Sequence, residues 1–248
     1  MRMDKLLAEL GYGTRKEVKK MLKKGGVFVD GEPVNNGAVQ VDPEEQRVSV
    51  FGEDIHYTEF VYFLMHKPAG VISATEDSVH DTVLDILEQE DAIREPFPVG
   101  RLDIDTEGLL LLTNDGKLNH FLTSPKHGVV KIYRAVLEQP IEEKNIEHFK
   151  KGVKLDDGYV CKPAVLRRVP DTHREVYVEV TEGKFHQVKR MFEAVGNEVV
   201  YLKRESFGRL SLDEDLLPGE YRELNDDEIQ LLRDSVGEKS EEAGSDEL

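Results

Sequence analysis

The stretch Gly100-Arg101-Leu102-Asp103-Ile104-Asp105-Thr106-Glu107-Gly108 runs straight into Leu109-Leu110-Leu111-Leu112. The apolar run is bounded by Gly108 and by Asn114-Asp115-Gly116, so it reads as a buried strand. Asp103 then lies in a loop at the doorstep of a core strand, a place where rigid scaffolds hold chemical groups. Taken alone, a carboxylate in a turn is more often a turn-former or a helix cap. Three neighbours shift that balance. Apolar residues on both sides of the loop suggest partial burial, Arg101 two residues away can hold a phosphate, and Glu107-Gly108 leads into the rigid strand.

Outward from this stretch, further elements follow from periodicity. Residues 61–65 read as a strand that enters the Pro- and Gly-marked loop His66-Lys67-Pro68-Ala69-Gly70. Residues 83–87 read as part of a short helix, and 141–151 are helical in pattern. Residues 131–137 and the cleanly alternating 176–180 read as strands. After Glu182-Gly183-Lys184-Phe185, the spacing of Val188, Met191, Phe192 and Val195 predicts a helix with one buried face. Gly196-Asn197 ends it, and 199–202 is a strand. Strands outnumber helices without regular βαβ alternation, which predicts an α+β fold on a mixed, largely antiparallel sheet.

The first 50 residues read as a separate small module. Leu6, Leu7 and Leu10 recur at helical spacing until Gly11-Tyr12-Gly13. Thr14 and Glu17 then form a capping-box pattern ahead of a second helix. Its buried stripe is Val18, Met21 and Leu22, which leaves Arg15, Lys16, Lys19, Lys20, Lys23 and Lys24 largely outside. Val27-Phe28-Val29 and Asp30-Gly31 read as a strand entering a tight turn. The domain reading is residues 1–50 as the small module, 51–60 as a linker, 61–235 as the main domain, and 236–248 as an acidic, disordered tail.

A net charge of −17 argues at first against a nucleic-acid partner, since phosphate attracts Lys and Arg. Its distribution answers the objection. From Ser211 onward there are 14 acidic and 3 basic residues, whereas the first 31 residues hold 8 basic and 4 acidic ones. A chain polarised in this way can hold RNA at one end and stay soluble at the other. A solvated charged face is the plainer account of the basic helix, and spacing alone does not separate the two. No apolar run approaches the roughly 20 residues of a membrane span, and the first residues lack the apolar centre of a signal peptide. The lone Cys161 excludes an internal disulfide framework and reads as a small inert residue near a strand. Together these features predict a cytoplasmic protein, and the lack of an unexplained apolar stripe predicts a monomer.

Several chemistries find no support. The eight histidines form no His-Glu-x-x-His pattern, a single cysteine cannot make Cys-x-x-Cys, and no phosphate-binding or dinucleotide glycine run occurs. There is no Gly-x-Ser-x-Gly elbow. Carboxylates, amines and phenols without a cofactor or metal are therefore the expected reagents.

The nineteen residues from Pro98 to Gly116 closely resemble the signature of bacterial ribosomal pseudouridine synthases. Residues 62–70 resemble that family's first motif, with His66 where Asn is usual. Lys131-Ile132-Tyr133 is similar to its Lys-x-Tyr motif, and residues 182–191 to its last motif. The N-terminal segment resembles an alpha-L RNA-binding module. The form His186-Gln187-Val188-Lys189-Arg190-Met191 is similar to the small-subunit rRNA enzymes, whose large-subunit relatives more often carry an Arg-rich version.

The resemblance implies an isomerase that breaks the N1–C1′ bond of a uridine in ribosomal RNA, turns the base, and joins C5 to C1′. By the same resemblance Asp103 is the catalytic carboxylate, either as nucleophile or by promoting elimination at the sugar. Tyr133 stacks on the target base, Lys189 pairs with the carboxylate, Leu202 lines the uracil pocket, and Arg101 contacts a flipped-out nucleotide. Helical geometry puts Lys189 on the flank of its buried face, leaning into the site, and turns Arg190 towards solvent or RNA. Arg15, Lys16, Lys19 and Lys20 would grip RNA. Asp105 is expected to be supporting structure, because two carboxylates two residues apart in one loop are a poor match to a glycoside hydrolase. A non-catalytic RNA-binding protein, a carboxylate hydrolase acting on nucleosides or sugars, and the same chemistry on large-subunit rRNA remain as alternatives.

Overall fold

The computed structural model describes residues 1–237, in two compact units. The acidic tail expected from 236 onward therefore lies, from Glu238 on, outside the described residues.

The first unit comprises residues 1–61 and 87–96. Helix α1 (Met3–Glu9) is followed by α2 (Arg15–Lys24), whose start carries the expected capping box. The Thr14 amide donates to the Glu17 carboxylate at 2.8 Å, and the Glu17 amide donates back to Thr14 Oγ1 at 3.4 Å. Strands β1 (Val27–Val29), β2 (Glu32–Pro33), β3 (Val48–Val50) and β4 (Glu53–Ile55) form an antiparallel sheet in the order β2-β1-β3-β4. Met3, Leu6, Leu7, Val18 and Leu22 pack against the valines of β1 and β3 in one core. Burying such side chains is worth roughly 1.5–3 kcal/mol each, which is what holds so small a unit together. The stretch 51–60 is thus not a plain linker. Its residues 53–55 pair with β3, and the Tyr57 hydroxyl donates to Glu9 at 2.8 Å.

A short helix, α3 (Gln89–Ala92), falls in the returning segment 87–96. Arg94 brings that segment to the first unit by lying 5.2 Å over the Tyr57 ring and donating to the Thr58 carbonyl. The helix expected at 83–87 is instead a series of turns. Both the amide and the hydroxyl of Thr82 donate to Asp85 at 2.8 Å, closing a single local turn. One turn fixes many dihedrals for few hydrogen bonds and does not propagate.

The second unit carries a nine-stranded sheet. Its elements are β5 (Tyr62–Lys67), β6 (Phe97–Pro98), β7 (Glu107–Thr113), α4 (Gly116–Thr123), β8 (Lys131–Leu137) and α5 (Glu143–Lys151). There follow β9 (Val165–Arg168), β10 (Glu175–Val180), α6 (Gln187–Ala194), β11 (Val199–Phe207), β12 (Leu210–Ser211), β13 (Tyr221–Glu223) and α7 (Asp226–Asp234). The main strand order is β13-β5-β7-β11-β8-β10-β9, with β6 against β7 and β12 against β11. Among the described strands only the β7–β11 pairing is parallel, so the fold is α+β on a mixed, largely antiparallel sheet, as the element pattern predicts.

All four leucines of the opening run are buried in β7. Leu109 and Leu111 share a core cluster with Leu118 and Leu122 of α4 and Leu232 of α7. Helix α4 escapes the sequence reading because Asp115-Gly116 looks like the end of a strand. Asp115 does two jobs, accepting from Tyr62 Oη at 2.9 Å and capping α4 by accepting from the Leu118 amide at 2.9 Å.

Gly108, the second residue of β7, has φ of +108° and pairs with Arg204 of β11. A Cβ there would stand 2.2 Å from the Arg204 carbonyl oxygen. Only glycine permits both the backbone angle and this approach, and the pairing seats the Asp103 loop at the edge where β7 meets β11.

Candidate active site

The loop from Gly100 to Thr106 is held from beneath and from the side. Ser73 Oγ accepts from the Leu102 amide at 3.0 Å and donates to the Leu102 carbonyl at 3.1 Å. The Gly70 amide donates to the Ile104 carbonyl at 2.7 Å, and the Thr106 amide closes a turn onto the Asp103 carbonyl at 3.0 Å. Lys67, at the end of β5, is fully buried and donates to the carbonyls of Pro68 at 2.9 Å and Thr106 at 3.0 Å. Burial pushes its ammonium down to about 8, against the pull of Asp105, Asp103 and Glu107. Neighbouring His66, in the place where the resembled family has Asn, faces another way. Its Nδ1 lies 2.6 Å from the Leu216 carbonyl, an acceptor, so that nitrogen carries the proton.

Asp103 is thereby fixed with about a quarter of its side chain (26%) exposed. Lys189 Nζ of α6 is 3.5 Å from Asp103 Oδ2, and His186 Nε2 is 3.5 Å from Oδ1. Lys189 also lies 2.5 Å from Asp105 Oδ1. Burial raises the Asp105 carboxyl, but the hydrogen bond and charge of Lys189 outweigh it and hold the group below the usual carboxylate range. Asp105 is thus the closer partner of Lys189. Arg190 does not face free solvent or RNA: its Nη2 sits 2.5 Å from Asp156 and 2.6 Å from Asp157.

A cavity of about 520 Å3 opens beside the loop, within the range typical of small-ligand sites. Arg101 and Asp103 lie on one side of it, and Lys131, Tyr133 and Arg204 come from the strands. An adjoining cavity of about 70 Å3 shares Arg101, Asp103 and Tyr133 and adds Lys189 and Leu202. The five site residues expected in the second unit therefore converge on two neighbouring hollows. Arg15, Lys16, Lys19 and Lys20 are exposed on α2 of the first unit. Lys19 lies 3.5 Å from the buried Asp4, whose carboxyl the hydrogen bond from Arg2 holds at about 2. Cys161 is buried, and that burial raises its thiol to about 11, so it stays protonated and inert.

The larger cavity has a cationic wall that sequence reasoning did not assign. Arg204 is buried, donates from Nε to the Leu109 carbonyl at 2.8 Å, and leaves Nη2 without a hydrogen-bond partner. Lys131 Nζ donates to the Val129 carbonyl at 2.9 Å. Burial, reinforced by the charge of Arg204, pushes that amine down to about 8. Glu182, also buried, anchors the loop leading to α6 by accepting from Tyr159 Oη at 2.7 Å and Gln187 Nε2 at 2.8 Å. The quoted motifs contain Lys67, Lys131, Glu182 and His186. Only their three-dimensional neighbours reveal what each one does.

Comparison with known proteins places this geometry among enzymes. The family described as RNA pseudouridylate synthase matches residues 61–194, and the S4 domain family matches residues 1–46. The chain is 53% identical over 236 residues to the uncharacterized RNA pseudouridine synthase YtzG of Bacillus subtilis, covering 94% of this chain and 99% of that protein. It is 42% identical over 231 residues to ribosomal small subunit pseudouridine synthase A of Escherichia coli strain K12, covering 92% and 98%. A crystal structure of a pseudouridylate synthase superposes with a TM-score of 0.66 at 37% identity, covering 94% of this chain and 99% of that one.

Proposed function

Because the chain belongs to the RNA pseudouridylate synthase family, we propose that it converts a specific uridine of small-subunit ribosomal RNA to pseudouridine, with Asp103 acting on a flipped-out nucleotide. The observation that carries the reading is the convergence of Asp103, Lys189, Tyr133, Leu202 and Arg101 on two adjoining cavities. The small-subunit target is supported by relatives of that name, 42–43% identical over more than nine-tenths of the chain.

The target bond is inaccessible in stacked RNA, so the nucleotide must leave the helix to reach a pocket. In the proposed reaction Arg101 meets its phosphate, and Tyr133 stacks on the base, a contact worth roughly 1–3 kcal/mol. Asp103 acts at C1′ while Lys189 balances its charge. The N1–C1′ bond breaks, the uracil turns against Leu202, and C5 bonds to C1′. The C5 proton is lost and N1 gains one, so the sum is an isomerisation. A uracil leaving through N1 carries negative charge, which the positive wall of Lys131 and Arg204 suits. On the first unit, Arg15, Lys16 and Lys20 would meet phosphates, with Lys19 partly committed to Asp4.

The test is Asp103→Asn in the full chain. Pseudouridine formation in small-subunit rRNA is expected to vanish while RNA binding stays within about twofold, because this exposed-edge change removes a charge and no RNA grip. Unchanged activity sinks the assignment, and release of free uracil points to a hydrolase. Mapping pseudouridines in rRNA from a deletion strain separates small- from large-subunit targets.

A further inference from the structure

We propose that Phe185, stacked on His186, is a platform for an unpaired RNA base next to the target uridine. The inference rests on reading the cavity as a uridine-modifying site. The Phe185 and His186 rings lie 3.7 Å apart between centroids at an interplanar angle of 19°, so the imidazole covers one face of the phenyl ring. Phe185 is nevertheless 66% exposed, which leaves its other face in solvent. It lines the larger cavity together with Asp103 and Arg101.

Three features favour a base over an apolar protein segment as the occupant. First, Arg101 is exposed on the same cavity and makes no ion pair among the described residues. A planar apolar face beside an unpaired guanidinium matches a polymer that alternates bases with phosphates. Second, the backbone that carries the ring is held in advance, with the Phe185 carbonyl accepting from Arg190 at 3.4 Å. The Lys184 amide donates to Gln187 Oε1 at 2.9 Å, and Gln187 in turn donates to buried Glu182 at 2.8 Å, so little ordering is left for binding. Third, the covered face belongs to His186, whose Nε2 is 3.5 Å from Asp103 Oδ1. A base docked on Phe185 therefore presses on the residue that touches the carboxylate. Phe185 acts through position and touches no reacting atom.

The test uses the full chain and a transcript fragment of small-subunit rRNA centred on the uridine that the wild type modifies. Phe185→Ala and Phe185→Leu are expected to lower kcat/KM about 10-fold or more, with Phe185→Tyr within about threefold of wild type, because stacking needs an aromatic face. Abasic nucleotides are then placed one at a time beside the target. At one position the wild type should lose the same factor, and Phe185→Ala should lose nothing further. Wild-type kcat/KM in Phe185→Ala, or full activity in Phe185→Leu, overturns the platform, as does an equal abasic penalty in both proteins at every position. If the wild type forms no pseudouridine in any such transcript, the reading of the site itself fails and the platform falls with it. Loss of the platform alone leaves that reading intact.

Discussion

Lys189 Nζ lies 2.5 Å from Asp105 Oδ1, a full ångström nearer than its 3.5 Å to Asp103 Oδ2. One ammonium therefore bridges two carboxylates of the same loop. Asp105 holds the lysine at the rim, and Asp103 has a share of its charge without a tight pair. Lys189→Met is expected to reduce kcat about 100-fold or more, the usual loss when a preorganised charge is removed from a site. Asp105→Asn should cost less than about 10-fold, since Lys189 remains and can turn fully to Asp103. Single-turnover pseudouridine formation checks both. A larger loss in Asp105→Asn than in Lys189→Met would make Asp105 the principal carboxylate.

Lys67 gives a pH signature. Its folded value of about 8 lies below the ordinary 10.5, so between those values the unfolded chain binds more protons than the native one. Stability contributed by this residue must then rise with pH across that window and be least favourable below pH 8. The wild type minus Lys67→Met difference in unfolding free energy should increase by about 1–3 kcal/mol from pH 7.5 to 10. Urea melts of both proteins across that range measure it, and a flat or falling difference contradicts a buried ammonium beneath the loop.

Gly108→Ala is expected to destabilise the second unit by about 3 kcal/mol or more, since it combines a positive φ with a backbone clash. The clash is with Arg204 of β11, so strain would fall on the β7–β11 pairing. Denaturant melts report the stability, and pseudouridine formation at low temperature reports the loop. By contrast Gly116, where a Cβ meets nothing within 4 Å and φ is not positive, should accept Ala with little effect.

The basic face of α2 can be tested through salt. Replacing Arg15, Lys16 and Lys20 together with Gln should weaken RNA binding and reduce the slope of log K against log salt by about 2–3, roughly one for each lost phosphate contact. Lys19→Gln alone should change it least, because that ammonium already faces Asp4 at 3.5 Å. Filter binding at several salt concentrations measures the slopes. An unchanged slope in the triple variant returns α2 to an ordinary solvated face.

Much of the architecture is legible locally. The capping box of Thr14 and Glu17, the alternating strand of 175–180 and the buried face of Val188, Met191 and Phe192 all lie within one or two turns of chain. Where the reading errs, a local signal has two outcomes. Asp115-Gly116 ends a strand and also caps a helix. Residues 53–55 look like a polar connection, yet pair with β3 because a short edge strand needs few apolar side chains.

By itself the sequence determined the class of fold, the loop that carries Asp103, and the motifs that attach the chain to its family, because each is written in contiguous residues. Only the tertiary structure decided who touches whom. It brings Lys67 under a loop nearly forty positions away, sets Lys189 closer to Asp105 than to Asp103, and turns Arg190 to Asp156 and Asp157. The physical reason is that an ion pair or a buried amine is set by distance and solvent exclusion in space. Neither quantity has a period or a spacing along the chain.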